Sequence, residues 1–112
     1  MALLFRKIHL EKVLKGEKTQ TRRVSKPKVK PGSTYRLRKG YNPISEMIEI
    51  EEVFQQKLGE ITPEDVLKEG FDSLEEFIEE WESIYEEFEP DKKIWVIKFR
   101  LTEKQDLGNN KY

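Results

Sequence analysis

Several kinds of residue are scarce in this chain of 112 residues: cysteine is absent, and histidine occurs once, at His9. Without cysteine there is no disulfide, no thiolate nucleophile and no cysteine-ligated zinc or iron–sulfur centre. A single histidine excludes every site that requires two. A nucleophile elbow of the G-x-S-x-G type is also missing from the sequence. We therefore expect no metal and no cofactor.

Long hydrophobic runs are missing too. No apolar stretch approaches the roughly 18 residues that span a bilayer, and the apolar part of the start MALLFRKIHL is too short for a signal peptide. A chain of this length, with 36% hydrophobic residues, forms one core rather than two. We expect one cytoplasmic domain over residues 1–102 without membrane contact. The stretch 103–112 has no hydrophobic periodicity, which predicts a disordered tail.

Charge is distributed unevenly along the chain, although the formal net charge is only -1. Residues 1–40 contain 13 Lys/Arg and 2 Asp/Glu, residues 41–91 contain 2 and 18, and residues 92–112 contain 6 and 2. A basic start and a basic end that share one positive face would suit a polyanion such as RNA. The acidic middle is unsuited to contact with nucleic acid.

The first forty residues predict a strand, a short helix and a second strand that leads into a basic loop. Residues 2–5 form a short apolar run. Apolar residues then recur at helical spacing over 10–14, before Gly16, a residue type that is common just past a helix end. Threonine and valine favour extended chain after this turn, and Pro27 and Pro31 prevent a helix in the basic loop.

Alternating residues predict a hairpin in the centre of the chain. Residues 34–38 alternate apolar with basic, residues 48–51 alternate isoleucine with glutamate, and the turn sequence GYNP lies between them at 40–43. Val53 is out of phase with the second run. We therefore expect a β-bulge near residues 51–52.

Two helices are predicted in the acidic middle. Thr62 and Pro63 start a short helix that ends near Gly70, and Ser73 with Glu76 forms a capping box that starts a longer one. Along the longer helix, apolar residues recur every three or four positions, and the opposite face is almost wholly glutamate. The recurring apolar residues are Leu74, Phe77, Ile78, Trp81, Ile84 and Phe88, and we expect the aromatic stripe of Phe77, Trp81 and Phe88 in the core.

A half-buried strand is predicted near the end of the chain, because Trp95, Ile97 and Phe99 alternate with more polar positions. We expect these residues to be buried in one sheet that also contains Tyr35 and Leu37. Strands at both ends with helices between them predict an α+β fold, for which a small closed or half-closed barrel is one arrangement.

Five short motifs occur in a characteristic order. G-E-K-T-Q-T-R-R at 16–23 follows the first helix, and K-P-G at 30–32 leads into the next strand. I-T-P-E-D at 61–65 and E-G-F at 69–71 come later, and I-W-V-I-K-F at 94–99 is the closing strand. In this order the motifs resemble the ASCH domain family. The resemblance covers roughly residues 3–101.

This resemblance implies a PUA-like small β-barrel of the ASCH type with helices packed around it, and an RNA-related role. Some family members are amidohydrolases that remove the acetyl group from N4-acetylcytidine with a lysine, a threonine and a glutamate. The corresponding catalytic residues here are Lys18, Thr21 and Glu69. Other members are described as RNA-binding modules, so the alternative is a non-catalytic RNA-binding module or modified-base reader that uses the same cleft.

Amide hydrolysis assigns a role to each of these residues. Thr21 would be the nucleophile, and Lys18 would take its proton if partial burial and the cations Arg22 and Arg23 lowered the lysine pKa. Glu69 would donate a proton to the leaving amine, and an arginine or a backbone N–H of the turn would bind the oxyanion. In a regular strand, positions 18 and 21 point to opposite faces. We therefore expect Lys18 to lie in the turn that precedes the strand, and neither Lys18 nor Thr21 to lie in the core.

The basic segments are expected to bind RNA or a modified nucleoside. The predicted nucleic-acid-binding residues are Arg22, Arg23, Lys26, Arg36 and Arg38, and a solvated basic loop is an equally weighted interpretation of the same charges.

Other surface features carry weaker expectations. A third interpretation makes the acidic helix a protein-docking surface, but a polar helix face needs no partner, so no obligate protein partner is expected. Tyr41 in the turn is the aromatic residue expected to be free to stack. His9 is expected on the surface without a partner.

Overall fold

A computed structural model describes residues 5–102 of the protein. The order of elements is α1 (Lys7–Leu14), β1 (Gln20–Arg23), β2 (Thr34–Lys39), β3 (Asn42–Lys57), α2 (Pro63–Lys68), α3 (Leu74–Tyr85) and β4 (Lys93–Thr102), with a 3-10 turn at Leu58–Glu60. The predicted α+β class is confirmed. The strand expected at 2–5 lies outside the described residues except for Phe5, which is not in a strand, and the tail expected at 103–112 lies wholly outside them.

The four strands form one antiparallel sheet in the order β1-β4-β3-β2. The edges β1 and β2 do not pair with each other within residues 5–102, so the sheet is open and the expected closure into a barrel is corrected. Four strands are too few to close at ordinary twist, since even the five-stranded OB-fold barrel is partly open.

The register of β3 against β4 contains the predicted bulge. Ile50 pairs with Phe99, whereas Glu52 pairs with Lys98, so one extra residue is accommodated between Ile50 and Glu52. This extra residue returns Val53 to the face of the sheet that buries Ile50, and both side chains belong to the same hydrophobic cluster.

The last strand, β4, is buried on both faces rather than one. Ile97 and Phe99 pack in a cluster with residues of α1, and Ile94 and Val96 pack in a second cluster with residues of α2 and α3. The predicted burial of Ile97 and Phe99 is confirmed, but Trp95 is only partly buried. The prediction of a half-buried strand is wrong because helices cover β4 from both sides. Alternation of apolar and polar residues alone does not reveal this.

The short helix α2 begins and ends at the predicted signals. Thr62 Oγ1 accepts a hydrogen bond from the Asp65 amide, and Asp65 Oδ2 accepts one from the Thr62 amide, each at 3.1 Å. Glu69 is the C-terminal cap, and Gly70 follows with a φ of 94°, a left-handed conformation that favours glycine. The turn after α2 therefore fixes where Glu69 lies.

The longer helix α3 is capped at its N-terminus by Ser73, whose hydroxyl accepts a hydrogen bond from the Glu76 amide at 3.2 Å. It ends at Tyr85, short of Phe88, because Glu86 adopts a φ of 74°. Phe88 nevertheless packs edge-on against Phe77. No helix within residues 5–102 is long and apolar enough to cross a membrane.

The packing of β4 predicts very different losses of unfolding free energy when two of its side chains are truncated to alanine. Phe99 is 1% exposed, whereas Leu101 is 36% exposed. We expect Phe99→Ala to lower the free energy of unfolding by about 3–5 kcal/mol, as for other buried phenylalanines, and Leu101→Ala to cost much less. Urea denaturation of the two variants measures this difference. Equal costs would contradict the assigned core.

Candidate active site

One cavity of about 240 Å³ lies between α1, β1 and α3. One set of lining residues is apolar or aromatic: Phe5, Phe71, Phe77, Trp81, Ile84 and Tyr85. The other set is polar: Arg6, His9, Lys18, Thr21, Arg22, Arg23, Glu69 and Glu80. The three residues proposed for catalysis from the sequence are all in the second set.

Lys18 and Thr21 reach the same cavity because Lys18 precedes the strand. The strand β1 begins only at Gln20, and the Lys18 amide instead donates to the Lys12 carbonyl at 3.2 Å, just past the turn at Gly16. The expected geometry is therefore present. The expectation that neither residue lies in the core is wrong, since Lys18 is 3% exposed and Thr21 is 5% exposed.

Glu69 is buried between two cations. Its Oε1 accepts a hydrogen bond from Lys18 Nζ at 3.1 Å, and its Oε2 accepts one from Arg22 Nη1 at 2.8 Å. Lys18 Nζ also donates to the backbone carbonyl of Glu69 at 2.9 Å. These contacts join the end of α2 to β1 and to the segment before it.

Arg22 is directed into the protein. Besides Glu69, its guanidinium contacts Gln20 Oε1 at 2.7 Å, Gln56 Oε1 at 3.1 Å and Asp65 Oδ2 at 3.3 Å. Its side chain is 1% exposed. A role for Arg22 in contact with phosphate does not fit this position, because protein acceptors surround the guanidinium. Its observed role is to orient Glu69.

Burial is the main influence on Lys18. Desolvation lowers the pKa of Lys18 below the ordinary lysine value, and Arg23 and Lys12 act in the same direction. The charge of Glu69 and its hydrogen bond act in the opposite direction without cancelling the effect. Burial and a neighbouring arginine are the expected causes, and the arginine that contributes is Arg23.

His9 is a cavity residue that the sequence analysis placed on the surface without a partner. Its Nε2 lies 2.9 Å from Glu80 Oε2, its ring packs edge-on against Phe71, and its Nδ1 is buried without a partner in the described part of the chain. A signal was available, because His9 is four residues before the buried Val13 and so lies on the inward face of α1.

Among the other predicted nucleic-acid-binding residues, Arg23 shares the cavity with Arg22, whereas Lys26, Arg36 and Arg38 do not line it. Arg23 lines the cavity, and Lys26 Nζ lies 5.6 Å from the centre of the Trp95 ring. Arg36 and Arg38 are exposed on β2, at the opposite edge of the sheet from β1. The single basic cleft expected from the sequence is therefore divided into separate regions.

The cations on the outward face of β4 are also not available as expected. Lys98 pairs with Glu52 at 3.5 Å, and Arg100 pairs with Glu49 and Glu51. The glutamates of β3 thus neutralise β4, which the sequence analysis had assigned to one positive face.

The partly buried His9 predicts a pH dependence of stability. Desolvation lowers the pKa of His9 below its ordinary value of 6.5 and outweighs the hydrogen bond that His9 donates to Glu80. As pH falls through 6.5, His9 takes up a proton in the unfolded chain before it does so in the folded protein, so the stability contributed by neutral His9 is lost. We expect the free energy of unfolding to fall between about pH 7 and pH 5 in the unaltered protein and to change less in His9→Gln.

Urea denaturation across this pH range measures the effect. His9 is the one histidine of the chain, so no other histidine contributes. Parallel curves for the two proteins would contradict a neutral buried His9.

Comparison with known proteins agrees with this architecture. The ASCH domain from Lactobacillus crispatus JV V101 superimposes with a TM-score of 0.76 at 18% identity, over 89% of this chain and 77% of that chain. Protein EF3133 from Enterococcus faecalis V583 superimposes with a TM-score of 0.62 at 20% identity, over 84% of this chain and 66% of that chain. Hypothetical protein PH0355 superimposes with a TM-score of 0.65 at 18% identity, over 88% of this chain and 94% of that chain. The curated proteins include no match to this chain.

These identities are too low to transfer an activity, and the solved structures show the fold alone. Membership follows from the family model, which matches residues 4–103 and so spans the sheet, the helices and the whole cavity. The chain belongs to the ASCH domain family, whose PUA-like fold is often linked to RNA binding.

Proposed function

We propose that this protein is an amidohydrolase that removes the acetyl group from N4-acetylcytidine. The observation that carries the proposal is the convergence of Lys18, Thr21 and Glu69 on one cavity, although Lys18 and Glu69 are 51 residues apart in sequence. These are the three positions to which the family resemblance assigns the chemistry. Nucleophile, base and proton donor must all reach one scissile bond, so their convergence is the geometric requirement of the reaction.

The first step is attack by the threonine hydroxyl. Thr21 Oγ forms a bond to the acetyl carbonyl carbon, and Lys18 Nζ takes the hydroxyl proton. A lysine accepts a proton only in its neutral form, and burial lowers the pKa of Lys18 in the required direction. The oxyanion that forms needs a donor, and Arg23, which lines the cavity, is the candidate side chain.

The second step breaks the bond between the carbonyl carbon and N4 of the cytosine ring. The leaving nitrogen needs a proton, and the direct hydrogen bond from Lys18 Nζ to Glu69 Oε1 supplies a route for the proton taken from Thr21. Water then hydrolyses the acetyl-threonine ester. The sum is N4-acetylcytidine plus water giving cytidine plus acetate, and the enzyme returns to its starting state.

The walls of the cavity suit a single base. Aromatic rings such as Phe71, Phe77 and Trp81 form one side, and flat apolar rings are the usual surface for a nucleobase. The volume of about 240 Å³ is below the roughly 300–1,000 Å³ of sites for drug-sized ligands. This size favours one nucleoside over an oligonucleotide inside the cavity.

A modified-base reader is the second candidate. It is favoured by the contacts that Glu69 already makes with Lys18 and with Arg22, because a fixed set of donors and acceptors recognises a base edge without any reaction. The reader and the enzyme use the same cavity and differ in whether the acetyl group is cleaved.

Incubation of the purified protein with N4-acetylcytidine, followed by chromatography, tests the proposal. We expect cytidine and acetate to appear with the unaltered protein and with Thr21→Ser, which keeps a hydroxyl. Turnover should be abolished in Thr21→Ala and Lys18→Met and reduced in Glu69→Gln. Thr19→Ala is the matched control, because Thr19 belongs to the same motif but does not line the cavity.

Binding and folding are measured on the same variants, since the three residues are buried. Circular dichroism checks the fold, and Trp81 in the cavity wall gives a fluorescence signal for the bound nucleoside. Binding without cleavage by the unaltered protein would replace the enzyme with the reader. Neither binding nor cleavage would remove both candidates.

The lowered pKa of Lys18 predicts the pH profile of turnover. The value of kcat/KM should rise with pH as Lys18 loses its proton, with the midpoint below the ordinary lysine value of about 10.4. Glu69→Gln removes the neighbour that raises this pKa, so the residual turnover of that variant should reach its midpoint at lower pH than in the unaltered protein. A midpoint that stays at the ordinary lysine value would exclude Lys18 as the base.

A further inference from the structure

A second charged region lies away from the cavity, on the β2–β3 hairpin and the loop before it. We call it the basic hairpin surface and define it as Lys28, Lys30, Arg36, Arg38, Lys39 and Tyr41. All six side chains are exposed, and Tyr41 is 96% exposed. Within residues 5–102 the five cations form no ion pair. The sequence between Glu17 and Glu46 contains no acidic residue at all.

The strand β4, on the other side of β3, shows that unpaired cations are not a general property of this sheet. Lys98 and Arg100 on β4 are each matched by glutamates of β3. The cations of β2 have no such ion pairs, because Arg36 is opposite Met47 and Arg38 is opposite Pro43 on β3. The cations of this edge therefore have no ion-pair partner in the described part of the protein, and their positive potential attracts anions.

Local contacts hold these groups together as one surface. The Lys30 amide donates to the Tyr35 hydroxyl at 3.3 Å, which keeps the loop beside β2. Arg38 Nη1 donates to the Tyr41 carbonyl at 3.1 Å, which ties the turn to the strand. Leu37 is buried between Arg36 and Arg38, so both arginines lie on the outward face of the strand.

We propose that the basic hairpin surface binds single-stranded nucleic acid at a site separate from the cavity. The cations contact successive phosphates, and the exposed Tyr41 ring stacks on an unpaired base. An anionic membrane is the less favoured partner, because Tyr41 is the sole large hydrophobic side chain exposed on this surface. The site lies at the edge of the sheet opposite β1, so it does not depend on the proposed hydrolysis.

Fluorescence anisotropy with a labelled single-stranded RNA of about 16 nucleotides tests the proposal over a salt series. The double variant Arg36→Gln with Arg38→Gln should weaken binding and reduce the magnitude of the slope of log K against log salt by about 1.4. Tyr41→Ala should lower affinity about 5- to 150-fold at constant charge, and Tyr41→Phe should restore it.

The matched control is Lys98→Gln with Arg100→Gln, which makes the same change in net charge elsewhere on the sheet. Loss of affinity in the hairpin variants but not in this control supports the site. Equal losses in both double variants, or no loss in Tyr41→Ala, would overturn it in favour of diffuse charge attraction. Tighter binding to vesicles with anionic lipid than to the RNA, lost in the same variants, would overturn it in favour of a membrane surface.

Hydrolysis of free N4-acetylcytidine is measured on the same samples, so that the two proposals fail separately. The hairpin variants should keep the turnover of the unaltered protein. RNA binding lost together with nucleoside turnover in these variants would contradict two separate sites.

Discussion

Glu69 joins the parts of the site, because its carboxylate lies between Lys18 and Arg22 and all three side chains are almost fully buried. Charges in such a region are stable only when they are paired, and removal of one partner from a buried pair costs about 3–5 kcal/mol. The two contacts fix the end of α2 against β1 and against the segment before it. The position of the proposed base therefore depends on the same contacts that hold this part of the fold together.

The turn at Gly70 makes this approach possible. Gly70 has a left-handed φ, and a Cβ placed there would lie 3.0 Å from Lys12 Cδ and 3.5 Å from Lys18 Cβ. A larger residue would be strained in its backbone and would press on the two lysines that meet the turn. The E-G-F motif thus has a physical explanation: glutamate enters the ion network, glycine permits the close approach, and Phe71 forms part of the cavity wall.

Much of the fold and part of the site were predictable from local patterns. The spacing of apolar residues identified the helices, the out-of-phase Val53 located the bulge, and strand geometry required Lys18 to precede β1. The two-sided burial of β4, the open sheet and the inward position of Arg22 were not predictable, because each depends on contacts between segments that are distant in sequence. His9 was missed because its partner, Glu80, is 71 residues away.

The proposed hydrolysis depends on how a bound substrate lies relative to residue 21, and a crystal structure of Thr21→Ala with N4-acetylcytidine measures this directly. We expect the cytosine ring against the aromatic wall and the acetyl carbonyl carbon about 3–3.5 Å from the position of the missing hydroxyl, the separation required for attack. The N4 atom should face Glu69. An acetyl group directed away from residue 21, or a nucleoside bound outside the cavity, would contradict the account.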